Sequence, residues 1–255
     1  EIISAGNFSL SFIRIASVTF KGNNKINHHK KEFYLFTKAK YQNNDLVYES
    51  KIYGDKLIDE QDLLISSNDS SIKIGSERAP LSKVTNMARR FAELSLAAQI
   101  DADFVVIDGT LEKTFNNEEK YLQKLNNNVS ALAKSCSLFT TSGNSPVVLL
   151  NKIGSNNCWS YFVNENTYFV KLNEKAKHVF RFSGNNDVLS HLTNNSKDAL
   201  FLGYPYGLIF VDQQARVSNK EKKSLMMQFL LKKENKEIID YLNTANAHSI
   251  LDNLG

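Results

Sequence analysis

The chain has 255 residues, of which 42% are hydrophobic and 23% are charged, and its net charge is +4 with a pI near 8.8. These values are ordinary for a soluble globular protein, and the small positive charge only mildly favours a polyanionic partner. Two cysteines, Cys136 and Cys158, exclude a disulfide framework and a zinc cluster. No apolar run is long enough to span a bilayer and no signal peptide is visible, so we expect a cytoplasmic protein without a membrane partner.

The first half of the chain predicts strands followed by a helix. Three segments rich in strand-forming residues, joined by polar links, predict an antiparallel meander at residues 8–20, 32–40 and 46–54. Residues 55–80 are polar and predict a loop or insertion. Residues 80–100 predict a helix that begins at Pro80, and the apolar run before Asp108 predicts a strand at 104–108.

The second half alternates between the two element types. The pattern predicts, in chain order, a polar helix near 117–127, a strand at 129–133, a helix at 145–153, three strands in "WSYFV", "YFVKL" and "HVFRF", and helices at 205–217 and 219–242. No repeat or linker divides the chain, which predicts a single domain over residues 1–255. The order is that of an α/β, ribonuclease-H-like fold. Such a fold has a mixed sheet (an antiparallel meander plus parallel strands) flanked by helices, here with additional C-terminal strands and helices. Other α/β folds share this order.

The stretch "FVVIDGTL" delivers Asp108 from a short buried strand into a tight turn. The haloacid-dehalogenase phosphatases have a similar motif, but their nucleophilic aspartate would stand at Val106, which has no nucleophile to offer. The antiparallel opening strands also count against a phosphatase of that type. Asp108 therefore either caps a turn or belongs to another kind of site, and the stretch around it leaves both interpretations open.

Phosphodiester cleavage on such a sheet commonly uses two divalent cations held by carboxylates from separate elements. Besides Asp108, two further carboxylates lie in suitable elements. Glu93 is on the helix before the strand, although taken alone it is typical of a surface residue with ion pairs to Arg89 and Arg90. Asp212 follows four apolar residues, and a buried carboxylate there would need a partner or a metal.

Four segments in this order resemble the NurA nuclease family over nearly the whole chain. They are "FVVIDGTL", "VSALAKSCSLFTTSGNS", "YFVKLNEKAKHVFRF" and "GYPYGLIFVDQQARVSNKEK". The resemblance implies that Glu93, Asp108 and Asp212 are metal ligands, the last at a position often occupied by His. It also implies that Tyr204 lies near the active site and that Lys134 contacts the scissile phosphate. The alternative interpretation of Tyr204 is a packed aromatic residue with a hydrogen-bonded hydroxyl, and that of Lys134 is an ordinary surface lysine.

The chain departs from the family at its start. Family members carry an Asp-Gly near the first strand, and here "IISAGNFSLSF" has Ala5 before Gly6. Because Ala5 cannot coordinate a cation, we expect this chain to bind metal weakly and to cleave poorly or not at all. We interpret Ala5 as an engineered inactivating substitution; the other possibilities are a natural pseudo-nuclease or a different alignment of this segment.

The resemblance implies a DNA nuclease that depends on Mn²⁺ or Mg²⁺, with two ions at the site, and that has 5′→3′ exonuclease and single-strand endonuclease activity. It further implies a homodimer that acts beside a HerA-type hexameric DNA-translocating ATPase, in DNA end processing or in defence against phage. The alternative is a catalytically dead module that binds DNA or docks on the ATPase. Arg181 and Lys171, on neighbouring predicted strands, would line a DNA groove together with Lys134.

Overall fold

A computed structural model describes residues 1–22, 24–164 and 166–235, together with Ile238 and Leu242. The chain forms a mixed α/β structure. Its strands are β1 (Ile3–Ser4), β2 (Phe8–Lys21), β3 (Asn24–Gln42), β4 (Asp45–Gly54), β5 (Ile65–Ser66), β6 (Val105–Asp108), β7 (Val129–Ala133), β8 (Trp159–Asn164), β9 (Thr167–Lys171) and β10 (Phe180–Ser183). Its α-helices are α1 (Ser82–Ala97), α2 (Glu119–Leu122), α3 (Pro146–Ile153), α4 (Leu189–Asn195), α5 (Tyr206–Ala215) and α6 (Asn219–Leu230).

The first sheet contains β1 to β5 in chain order, with every neighbouring pair antiparallel. The predicted meander is confirmed, but β3 begins eight residues before the predicted start at residue 32. Residues 24–31 are polar apart from Ile26, and they nevertheless continue the ladder with β2 as far as the pair Lys21 and Asn24. Backbone hydrogen bonds to β2 extend the strand where side-chain composition alone predicts none.

The second sheet has the order β6-β7-β10-β9-β8. Strands β6 and β7 are parallel, with Asp108 opposite Leu132, and the remaining pairs are antiparallel. The prediction of one mixed sheet is therefore wrong in the described residues: the meander and the parallel pair lie in separate sheets. The mixed α/β class is confirmed, whereas the ribonuclease-H-like arrangement stays a prediction.

The predicted helices are present with shorter bounds. Helix α1 lies inside the predicted 80–100 segment, and its buried side chains Val84, Met87, Phe91 and Leu94 form the predicted apolar face. The polar helix near 117–127 is reduced to a 3₁₀ turn and the four residues of α2. The helix predicted for 219–242 ends in α6 at Leu230. Residues 236, 237, 239–241 and 243–255 lie outside the described part of the chain, so the single domain over 1–255 stays a prediction.

One hydrophobic core joins the two sheets through α1. Ile13 and Phe33 from the first sheet and Val129 from the second belong to the same buried cluster as Phe91. The Phe91 ring stacks on that of Tyr121 at a centroid distance of 4.7 Å. Because α1 packs against both sheets, it holds β2 and β6 in fixed positions on either side of the candidate site. Within the described residues, no helix combines the length and the apolar character needed to cross a membrane.

Candidate functional site

A cavity of about 970 Å³ lies between β2 and β6 and is also lined by α1 and α5. Strand β1 pairs with β2 only at Leu10 and Ser9, so beyond residue 10 that edge of β2 has no strand partner in the described chain. Strand β6 likewise pairs on one side only, with β7. Ser17 on the cavity wall is buried, and its Oγ has no hydrogen-bond partner among the described residues. The cavity therefore offers polar groups as well as apolar surface.

Asp108 is at the end of β6 and lines this cavity. Its Oδ1 accepts a hydrogen bond from the Tyr204 hydroxyl at 2.9 Å, and its Oδ2 accepts one from Lys134 Nζ at 2.6 Å. The next residue, Gly109, has a φ of 147°, a backbone conformation that favours glycine and turns the chain away from the strand. Asp108 is thus more than a turn residue, since both of its oxygens are held by side chains from distant segments.

Tyr204 and Lys134 meet at this carboxylate, while the roles that the resemblance implies for them stay predictions. The Tyr204 side chain is buried, and its hydroxyl lies 3.1 Å from the Leu132 carbonyl as well as near Asp108. Burial raises the pKa of the Tyr204 hydroxyl far above its usual range, and the negative charges of Asp108 and Asp212 add to this effect. Tyr204 is therefore a permanent hydrogen-bond donor. Lys134 is half-exposed, and its ammonium group lies 5.1 Å from the centre of the Tyr204 ring.

Glu93 lines the same cavity from α1. Its side chain is largely buried and pairs with Arg89 at 2.5 Å, so the local ion pair expected from the sequence is present. Arg90, the other expected partner, instead binds Glu118 and the Thr110 carbonyl. Burial raises the pKa of the Glu93 carboxyl above its ordinary value, and the charge of Asp108 contributes in the same direction, while Arg89 and Arg90 oppose it. The charge of Asp108 thus acts on Glu93, as the smallest of these influences.

Asp212 also lines the cavity, from α5, but it is not the buried carboxylate that its apolar neighbours indicated. Its side chain is 41% exposed and pairs with Arg216 at 2.9 Å, one helical turn further on. The correction has a simple cause. The stretch before Asp212 forms a helix, and a helix directs successive side chains to different sides, so apolar neighbours in sequence do not enclose it.

The fit of these residues to a metal ion is partial. Within residues 1–22, 24–164 and 166–235, no group of three or more His, Cys, Asp or Glu side chains is arranged to hold an ion. Each of the three predicted carboxylate ligands is bound by a cation of the chain: Arg89, Lys134 or Arg216. Mg²⁺, however, is usually held by one or two carboxylates plus substrate phosphates. Glu93 and Asp108 line the same cavity and offer that smaller set of carboxylates, whereas the described residues do not form a two-ion site made by protein alone.

Ala5 is not at this site. It lies in the turn between β1 and β2, where its N–H donates to the Phe8 carbonyl at 2.9 Å, while β2 lines the cavity only from Arg14 onwards. An aspartate at position 5 would therefore not be among the residues that line the cavity. The placement does not support the expectation that Ala5 occupies a metal-ligand position beside Asp108.

The predicted groove residues Arg181 and Lys171 are likewise corrected. Both side chains are buried, with only 4% and 6% of each residue exposed. Arg181 makes a bidentate ion pair with Glu112, and Lys171 donates to the carbonyls of Ser155 and Asn156. These contacts hold loops onto the second sheet, and burial leaves no surface for a DNA backbone. Lys134 keeps its exposed position.

Sequence reasoning missed two features of the site. Arg216 lines the cavity and neutralises Asp212, a contact that the four-residue spacing on a helix indicates. The wall formed by β2 residues 14–22 had no signal in the sequence. That wall exists because β1 leaves most of the β2 edge uncovered, and strand pairing of this kind is settled by tertiary structure.

Comparisons with known proteins add little to this geometry. No protein-family model matches the chain, and no curated protein matches it. Among solved structures, the chain is similar to a crystal structure of Ciona intestinalis endonuclease V in complex with a 24mer DNA containing an inosine followed by a ribo-adenosine. The TM-score is 0.38 and the identity 14%, over 85% of this chain and 87% of that chain. Similarity at this level is too low to establish a shared fold or activity, and membership of the NurA family stays a prediction.

Proposed function

We propose that the protein is a metal-dependent DNA nuclease whose site is centred on Asp108. The observation that carries the proposal is the convergence on this carboxylate. Tyr204 and Lys134 bind its two oxygens, and Glu93 lines the same cavity, although these four residues come from four separate segments. A carboxylate held in this way at the wall of a large cavity is typical of a functional site rather than of a turn.

The chemistry of these groups suits a phosphodiester substrate. Glu93 and Asp108 offer hard oxygen ligands for Mn²⁺ or Mg²⁺, and a bound cation would polarise a phosphoryl oxygen of the substrate. Lys134 is exposed and can move from Asp108 to a phosphate oxygen, which is also an anionic acceptor. Tyr204 remains protonated and orients Asp108 through its hydrogen bond. Asp212 lies further along the cavity as an additional carboxylate.

The finer parts of the proposal come from the resemblance to the NurA family. We infer that the substrates are DNA ends and single strands, cleaved by 5′→3′ exonuclease and single-strand endonuclease activity. We further infer a cytoplasmic homodimer with a HerA-type hexameric ATPase as its partner. DNA end processing and defence against phage are both consistent with such a pair.

A second candidate is a catalytically dead module that binds DNA or docks on the ATPase. The observation that favours it is the ion pairing of all three carboxylates within the chain, which leaves each charge neutralised. Because Ala5 does not line the cavity, this candidate does not depend on the residue at position 5.

Mn²⁺-dependent degradation of end-labelled duplex and single-stranded DNA separates the two candidates. We expect cleavage by the unaltered chain and a loss of about 10³-fold or more in Asp108→Asn, because a catalytic cation contributes several kcal/mol and ~4 kcal/mol corresponds to about 10³ in rate. Asp187→Asn is the matched control, since Asp187 is exposed and does not line the cavity. Its cleavage should be unchanged.

The variant Ala5→Asp tests the departure at the start of the chain. The position of Ala5 predicts that this variant cleaves like the unaltered chain. If only Ala5→Asp cleaves, the chain is an inactivated nuclease and position 5 acts at the site after all. If every form is inert, also with the ATPase present, the nuclease proposal is wrong and the docking module remains.

A further inference from the structure

The hairpin formed by the ends of β2 and β3 is strongly basic. We define the basic arm as residues 17–22 and 24–31. Its side chains include four lysines and two histidines, namely Lys21, Lys25, His28, His29, Lys30 and Lys31. The sequence has no Asp or Glu between Arg14 and Glu32, so the four lysines carry a charge equal to the net charge of the whole chain. Residues 24–30 are all exposed.

Contacts within the chain neutralise this charge only in part. Lys31 lies 3.5 Å from Asp55, an exposed pair that contributes little. Lys30 is near Glu221, but both Glu221 oxygens are bound by Arg14. Lys25 lies over the ring of Phe210 at 4.8 Å rather than beside a carboxylate. The arm therefore keeps a positive field that a polyanion can use.

The pairing between the two strands distributes this charge over both faces of the arm. Lys31 and His29 lie opposite Ile15 and Ser17, on the face that continues into the buried core. Lys30 and His28 lie opposite Ala16 and Val18, on the other face. Positive charge on both faces suits a flexible or grooved polyanion that surrounds a projecting hairpin better than a flat partner that meets one face.

The arm is also continuous with the candidate site. Thr19, Lys21, Gly22 and Ile26 line the same cavity as Asp108 and Glu93. A chain of phosphates held by the lysines would therefore pass directly to the carboxylates. An isolated basic patch elsewhere on the surface would have no such connection.

We propose that the basic arm binds the phosphate backbone of a nucleic acid and guides it into the cavity. As a guide to cleavage this rests on the proposed nuclease function, but backbone binding by the arm does not require it. Contacts of lysines with phosphates carry no base information, so binding is independent of sequence and falls steeply with salt. The continuity of the arm with the cavity of Asp108 and Glu93 favours a nucleic acid over an acidic protein, the other class of polyanion.

The test measures binding to a fluorescent DNA duplex of about 30 base pairs by anisotropy. EDTA is present so that metal-dependent cleavage cannot interfere. The salt concentration is varied between 50 and 200 mM, about the range over which binding to phosphates weakens most clearly. The arm variant changes Lys21, Lys25, Lys30 and Lys31 to Gln. The control variant has the same change in net charge at four exposed lysines outside the cavity wall: Lys40, Lys51, Lys175 and Lys177. Replacement of the four arm lysines by Arg keeps the charge and should restore binding.

We expect the arm variant to bind about 10- to 100-fold more weakly, with the salt slope reduced by about one unit for each phosphate that the arm no longer binds. The DNA affinity of the control variant should stay within about threefold of that of the unaltered chain, because the proposal requires lysines at the arm and not only a positive net charge. Equal losses in the arm and control variants would overturn the proposal, as would a Lys→Arg form that binds no better than the Lys→Gln form. Binding to fluorescent polyglutamate is measured in the same way. If the arm variant lost polyglutamate binding while its DNA binding stayed unchanged, the proposal would be overturned in favour of an acidic protein partner.

Failure of the nuclease proposal has a different signature. In that case DNA binding would still depend on the arm, but no form would cleave with Mn²⁺. Conversely, normal cleavage and normal binding by the arm variant would leave the nuclease intact and remove only the role of the arm.

Discussion

Two cation–carboxylate pairs near the end of β6 differ in what they can do. Arg90 reaches from α1 to Glu118, and Glu118 is fully buried and also accepts hydrogen bonds from the N–H groups of Thr114 and Phe115. Lys134 reaches from the end of β7 to Asp108, and 48% and 31% of these side chains are exposed. The first pair holds a loop in place, and its buried groups are not accessible to a ligand. The second is open to the cavity, where a substrate or a metal can compete for it.

The largest expected difference between the two pairs is in stability, when each carboxylate is replaced by its amide. Glu118→Gln leaves Arg90 without its buried counter-charge, and we expect the free energy of unfolding to fall by about 3–5 kcal/mol. Asp108→Asn should change it by about 1 kcal/mol or less, because Lys134 can be hydrated. Urea denaturation of both variants measures the difference. Similar losses in the two would mean that the Asp108 pair is structural, which contradicts the assignment of the site.

Removal of the Tyr204 hydroxyl tests how firmly Asp108 is positioned. Tyr204→Phe keeps the packing against Phe180 and loses a hydrogen bond to a charged group, so we expect a loss of about 1.5 kcal/mol in stability. Cleavage should fall through the rate and not through DNA affinity. Tyr206→Phe is the control, since Tyr206 is half-exposed and its substitution should be neutral. A stability loss without any effect on the cleavage rate would show that Tyr204 only packs.

A third pair, Arg181 with Glu112, should show its effect through pH. The hydrogen bond from Arg181 lowers the pKa of the Glu112 carboxyl below its ordinary value. A lowered folded-state pKa contributes stability above the unfolded-state value of about 4.3, and this contribution is lost as the pH falls through the folded-state pKa. Glu112→Gln should therefore be less stable than the unaltered chain at pH 7, by at most ~1 kcal/mol. The gap should shrink towards pH 3, and a gap that grows on acidification would contradict the assigned pairing.

The smallest effect is expected for the helical pair of Arg216 and Asp212. Both side chains are exposed, so Arg216→Gln should change the free energy of unfolding by about 0.5 kcal/mol or less. The small difference should disappear at 1 M salt, roughly the concentration at which the screening length falls to ~3 Å. A loss of stability above 1 kcal/mol (about twice the usual upper value for such pairs) would contradict the exposed position of the Asp212 side chain.

Much of the secondary structure and part of the site could be predicted from the sequence. The alternation in "YFVKL" and "HVFRF" predicted β9 and β10, and the apolar spacing from Val84 to Leu94 predicted α1. The apolar run before Asp108 placed that carboxylate at a strand end, whereas its contacts with Tyr204 and Lys134 were found only in the structure. The predicted elements hold because they depend on local periodicity.

The predicted exposure of Arg181 and Lys171 was wrong because burial depends on distant segments. Both have the composition of surface cations, but Arg181 pairs with Glu112 and Lys171 is held by the carbonyls of residues 155 and 156. Asp212 has the neighbours of a buried residue, yet α5 exposes it. The burial of Arg181 and Lys171 is not encoded within a few residues of those positions, whereas the exposure of Asp212 follows from the direction of its side chain on a helix.

The sequence by itself determined the approximate positions of most of the longer strands and helices, because side-chain periodicity acts within a single segment. Only the tertiary structure decided that the strands divide into two sheets, that β3 extends into an exposed basic arm, and that β2 and β6 leave a cavity between them. Strand pairing and burial are satisfied between segments far apart in the chain, and the choice of partner is made by the packing of the whole core around α1.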